Sequence, residues 1–220
     1  MQALTLENIV LTLQSASGLV EILRGVDFTA SAGETVAIVG PSGSGKSSLI
    51  SIAAGLERAT SGIATLLGER LDERSEDDLA LLRRGRVSLV FQSFHLLPTM
   101  TAFDNVRAAL EIARMSDADS RAREALDAVG LSARLEHYPG QLSGGEQQRV
   151  AIARALAPGP NVVFADEPTG ELDAANGKGV ADLLFNLAQE KNATLVLVTH
   201  DLELAKRADR ILQMRDGQLS

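Results

Sequence analysis

The sequence predicts an α/β fold: mostly parallel strands with flanking helices, an N-terminal antiparallel β layer and an inserted helical subdomain. Three observations predict it. Four short, apolar, β-branched runs at 36–39, 87–91, 162–165 and 195–198 read as strands buried on both faces. Each run is followed at once by a polar segment able to do phosphate chemistry. Between 93 and 156 the apolar spacing becomes helical.

The elements follow in order. Leu4 to Leu11 alternates in part and reads as a strand, paired antiparallel with Val26 to Thr29. The run Val36 to Val39 leads into Gly40-Pro41-Ser42-Gly43-Ser44-Gly45-Lys46-Ser47, a complete P-loop, with Ser48 continuing it and an apolar helix over 49–56. This marks the core as a P-loop NTPase core. The second run ends at Gln92. Two amphipathic stretches follow, 104–115 and 119–129, the first carrying Val106, Ala109, Leu110 and Ala113 at spacings of three and four. Ser143 and Glu146 form a capping box that opens a helix through Val150, Ala153 and Leu156, and Pro158 stops it. The third run ends at Asp166 and Glu167, and the fourth at Thr199 and His200. The resulting division is a catalytic core over 1–92 and 157–220, with the helical subdomain at 93–156.

In open α/β sheets ligands sit beyond the carboxyl ends of the strands, so four such ends point to one crevice. P-loop glycines let backbone N–H groups turn toward phosphate oxygens, and the helix N-terminus adds positive partial charge. Lys46 is placed to reach the β- and γ-phosphates of ATP, and the Ser47 hydroxyl to ligate Mg²⁺. Neighbouring side chains of an extended segment point opposite ways, which gives Asp166 to Mg²⁺ and Glu167 to the attacking water. The Gln92 amide is suited to metal or water at the point where the chain leaves the core. His200 is suited to hydrogen-bond a γ-phosphate, whereas His95 and His137 have no such setting. Ser143, Gly144 and Gly145 open a helix whose N–H groups make a second anion site. A second phosphate cradle in one chain suggests ATP held between two copies.

Bulk properties agree. The chain has 220 residues, 45% of them hydrophobic, enough for one large domain or a core with an insertion. A net charge of −8 argues against a nucleic-acid partner. The absence of cysteine excludes disulfides and cysteine-zinc sites. The first residues show no basic-then-apolar signal segment, and no apolar run approaches the roughly 20 residues that span a bilayer. Work at a membrane therefore calls for a partner.

On these residues the chain resembles the nucleotide-binding subunits of ABC transporters over essentially its whole length, with the motifs in order. It is most similar to the bacterial group of lipoprotein-release and macrolide-exporter ATPases, on 90–94, 141–150 and 164–170. The resemblance implies a head-to-tail homodimer with ATP and Mg²⁺ at its interface, the P-loop of one copy facing Ser143, Gly144 and Gly145 of the other. It also implies an integral-membrane permease of the mechanotransmission type, docked near Gln92 to Pro98. The protein then sits peripherally on the cytoplasmic face of the inner membrane and drives export or extraction. The alternative is a non-transporting ATPase that regulates a membrane complex in response to ATP. Two departures stand out. The position where relatives carry an adenine-stacking aromatic falls near Leu13, and no aromatic precedes Phe28. Adenine contact is then weaker or purely apolar, which leaves the preference for ATP over GTP open. Glu171 stands where the group usually has Asn, while Asp173 is retained.

Overall fold

The computed structural model describes residues 1–15 and 18–220, with Ala174 and Ala175 by their backbone alone. In chain order the elements are β1 (Gln2–Ser15), β2 (Gly18–Ser31), β3 (Thr35–Val39), α1 (Lys46–Ala53), β4 (Ser61–Leu66), β5 (Glu69–Arg70), α2 (Glu76–Arg83), β6 (Val87–Phe91), α3 (Ala102–Ile112), α4 (Ala118–Ala128), α5 (Gly144–Leu156), β7 (Val162–Asp166), α6 (Ala174–Glu190), β8 (Thr194–Thr199), α7 (Leu202–Ala205), β9 (Arg210–Arg215) and β10 (Gln218–Leu219). The chain forms two compact units. One comprises Met1–Arg83 with Thr194–Ser220, the other Arg84–Ala193.

In the first unit, β1 pairs antiparallel with β2 and β4, and β5 pairs antiparallel with β4. Alternation in β1 buries Leu4, Leu6, Ile9 and Leu11. The phase slips between Leu6 and Ile9, where Asn8 takes a left-handed conformation (φ 49°) and its N–H donates to Asp27 at 2.8 Å. The expected antiparallel layer is present, but both strands run to 14 residues, well beyond the stretches that alternate clearly. β3 lies between β8 and β9, parallel to both, and β10 turns back on β9. All six residues of β8 are buried, and between its terminal threonines the run 195–198 is continuously apolar.

In the second unit, β6 and β7 are parallel. The helices share a core in which Val106 and Leu110 of α3, Leu126 of α4 and Val150 and Ala153 of α5 are buried, with Leu183 and Leu187 of α6 packed against it. The Thr101 hydroxyl caps α3 by accepting from the Asp104 N–H, so this helix starts two residues before the expected Asp104. Among the described residues no helix is long and apolar enough to cross a membrane.

Candidate functional site

The first unit holds the P-loop and His200. In the β3–β8 ladder Val39 is opposite Thr199, so Gly40 and His200 leave adjacent parallel strands at the same level. Gly40 is locked in by its surroundings: a methyl group there would lie 2.1 Å from the Met214 carbonyl oxygen. Gly43 (φ 78°) and Gly45 (φ 104°) take left-handed conformations that let the loop turn into α1. Gly45 is the N-cap of α1, so no side chain closes that helix end. The Lys46 amine is buried and donates to the Gly40 and Pro41 carbonyls at 2.8 and 2.9 Å, curling back over the loop. The Ser44 hydroxyl is buried with no hydrogen-bond partner. A left-handed loop, an uncapped helix start, a retained cation and an orphaned hydroxyl fit a polyphosphate.

The second unit holds Gln92, Asp166, Glu167 and Ser143 to Gly145. Phe91 is opposite Asp166 in the β6–β7 ladder, so Gln92 and Glu167 also leave adjacent strands together. Glu167 departs from the extended geometry expected of it. It is left-handed (φ 48°), because a turn closes here with the Gly170 N–H donating to the Glu167 carbonyl at 3.0 Å. Strand alternation therefore ends at Asp166. A non-glycine residue in this region is held by its surroundings, and such residues gather at functional sites. The Gln92 side chain lies over Gly170, where a methyl group would meet its Nε2 at 3.1 Å. Beside it the Ser93 hydroxyl donates to Glu171 at 2.9 Å. The residue that departs from the group's usual Asn is thus tied to the loop after Gln92.

Ser143 is the N-cap of α5, and the capping box is complete. Its Oγ accepts from the Glu146 N–H at 3.3 Å, while its own N–H and O–H donate to Glu146 Oε2 at 2.8 and 2.9 Å. Arg134 Nε donates to Glu146 Oε1 at 3.0 Å. The bond from the Ser143 backbone, then that from Arg134, hold the Glu146 carboxyl down to about 2.

One organising residue escapes a sequence reading. Asn105 on α3 is buried; its Nδ2 donates to the Leu97, Met100 and Thr101 carbonyls at 3.2, 3.1 and 2.9 Å, and its Oδ1 accepts from the Leu97 N–H at 2.8 Å. It builds the far side of the 92–101 loop. An amide inside an otherwise apolar helical stripe is the signal that could have found it.

Known proteins are similar to this chain in sequence and in fold. A family model described as "ABC transporter" matches residues 23–170. The chain is 52% identical over 200 residues to the ABC transporter ATP-binding protein YbbA of Escherichia coli K12, covering 90% of this chain and 88% of that protein. It is 44% identical over 218 residues to the lipoprotein-releasing system ATP-binding protein LolD of Legionella pneumophila strain Lens, covering 98% and 96%. Two solved structures superpose with a TM-score of 0.91 at 38% identity, covering 99% of this chain and 96% of theirs. They are the dimeric structure of the bacterial ABC transporter cassette MJ0796 and its dimeric post-hydrolysis state bound to ADP and Pi.

Proposed function

Because the chain belongs to the ABC transporter family of ATP-binding proteins, we propose that it is the ATP-hydrolysing subunit of a transporter that closes as a head-to-tail homodimer around two ATP and drives a separate permease. The observation that carries this reading is the presence of two helix starts suited to an anion in one chain, the uncapped α1 after the P-loop and the glycine-rich start of α5. One nucleotide needs only the first. The second serves the nucleotide of another copy, a reading supported by the dimeric cassettes to which the chain is similar.

In this reading Gly40 to Ser48 wrap the triphosphate, with Lys46 moving from its two carbonyls to the β- and γ-phosphates. Ser47, Asp166 and Gln92 supply hard oxygen donors of the kind Mg²⁺ takes, and that ion would neutralise charge on the phosphates. Glu167 orients and deprotonates the attacking water, and His200 hydrogen-bonds the γ-phosphate. Ser143, Gly144 and Gly145 contact the partner copy's γ-phosphate. Binding closes the dimer, and hydrolysis with product release opens it. No step calls for a phosphorylated side chain.

The permease docks on the 92–98 segment, where the catalytic core (1–92) passes into the helical subdomain (93–156) and Leu97 is exposed. Likeness to LolD supports export or extraction over import and a place on the cytoplasmic face of the inner membrane. Glu167→Gln tests the core of the proposal. The variant should bind ATP as the parent does, accumulate as an ATP-dependent dimer in size-exclusion chromatography, and lose turnover by a factor of roughly 10²–10⁴. Undiminished turnover would remove Glu167 from the mechanism. Affinity purification of the protein from membranes tests the permease.

A further inference from the structure

Phe94 and His95 are consecutive left-handed residues (φ 58° and 47°), and the His95 N–H donates to the Ser93 carbonyl at 2.5 Å across a three-residue turn. A bulky residue with positive φ is held there rather than at ease. Two contacts brace it: the His95 ring, 4.6 Å from that of Phe91, and the guanidinium of Arg154. Its Nη2 donates to the Phe94 carbonyl at 2.8 Å and its Nη1 to the His95 carbonyl at 2.5 Å. Burial pulls this guanidinium below its usual value, so the chain bears a desolvation cost to keep a cation here. A gap in the packing alone would be filled better by an apolar side chain.

The consequence lies at the other end of α5. Arg154 is ten residues beyond Gly144, about 15 Å along the helix. Yet the Phe94 ring reaches that end: a methyl group on Gly144 would lie 3.7 Å from Phe94 Cζ and 3.5 Å from Leu172 Cδ2. Phe94 and Leu172 are the neighbours of Ser93 and Glu171, which are hydrogen-bonded to each other. Two loops thus converge on one glycine of the proposed phosphate-binding turn.

We propose that Arg154 is a positioning residue: by gripping both carbonyls of the strained Phe94–His95 pair it holds the Phe94 ring against Gly144, making the loop after Gln92 and the phosphate-binding start of α5 one rigid piece. Phe94 is the lever and Arg154 its anchor. The proposal rests on the reading of Ser143 to Gly145 as a phosphate site. It adds that the placement of this site is set from the 92–98 loop.

A double-mutant cycle on the full chain tests it. Arg154→Met and Phe94→Ala should each lower kcat for ATP about tenfold, from the loss of charge-assisted bonds or of the contact they position. KM and the affinity for a fluorescent ATP analogue should stay within about twofold, because the P-loop is untouched. The double variant should fall no further than either single one, as members of one unit do. Arg154→Lys, with charge but no fork, should lie between the parent and Arg154→Met. If Arg154→Met does not fold, the cycle runs with Arg154→Lys and the same non-additivity is expected. Losses that multiply, or a parental kcat in Arg154→Met, overturn the proposal. Ser143→Arg is the control: if it hydrolyses ATP at the parental rate, the phosphate-site reading itself has failed. If it is inactive and the cycle is additive, only the role of Arg154 has failed.

Discussion

Glu146 is the point where stability and the proposed phosphate site meet, and Glu146→Ala probes both. The substitution removes the acceptor of the Ser143 N–H, of the Ser143 hydroxyl and of Arg134 Nε. The carboxyl is held from 4.5 down to about 2. At about 1.4 kcal/mol per tenfold change in proton affinity, this bounds its contribution near 3 kcal/mol. The Arg134 side chain is 45% exposed and that of Glu146 19%, and solvent screening brings the figure to about 1–2 kcal/mol. The folded value lies below the unfolded one. The contribution is therefore fully present above the unfolded value of 4.5 and is lost as pH falls toward about 2. Urea unfolding of parent and variant should show a gap of about 1–2 kcal/mol at pH 7, with Tm lower by about 2–8 °C. By pH 3 the gap should have narrowed. A gap below about 0.3 kcal/mol at pH 7, or one undiminished at pH 3, refutes the reasoning.

Gly40→Ala should cost about 2 kcal/mol or more in a thermal melt, since its methyl would lie 2.1 Å from a backbone oxygen that cannot swing away. Lys46→Ala should weaken binding of a fluorescent ATP analogue at least about tenfold, by removing the P-loop's buried cation. Leu13 faces Val20 across the β1–β2 hairpin, both more than 40% exposed, and offers a base only apolar contact. Leu13→Tyr should therefore tighten ATP about fivefold or more by stacking, while the parent separates ATP from GTP by less than about tenfold in competition titrations.

The buried strands were legible because burial on both faces makes a strand uniformly apolar, and the candidate phosphate residues are those that follow such runs directly. The ladders give the candidate residues their placement within each unit: Val39 is level with Thr199, and Phe91 with Asp166. β4, β9 and the full length of β1 and β2 were not legible. β1, β2 and β4 mix exposed and buried residues irregularly, and β9 alternates in burial but exposes Ile211 and half-buries Arg210, which hides the alternation in the sequence. The loop contacts were harder still. Ser93 and Glu171 are 78 residues apart, and Phe94 and Arg154 are 60 apart. Each is an ordinary polar or aromatic residue until the fold brings its partner. Pro168 and Gly170 announce a turn after β7, but the left-handed conformation falls on Glu167, where no glycine marks it.

Glu146 puts a charge beside the proposed second anion site. Glu146 is ionised and lies three residues into α5, where an arriving phosphate would meet it. Its two oxygens are already committed, Oε2 to the Ser143 N–H and O–H, Oε1 to Arg134. Arg134 offsets the charge, so the carboxylate keeps its capping role without opposing the anion in full. The Ser143 hydroxyl has one proton, and that proton now points at Glu146. To donate to a phosphate it must turn away, leaving Oε2 with the Ser143 N–H alone. The backbone N–H groups of Gly144 and Gly145 need make no such exchange. Ser143→Ala should then keep a large part of the closed dimer in the Glu167→Gln background, where Ser143→Arg abolishes it, because the glycine backbone carries most of the anion contact and the hydroxyl only a traded bond.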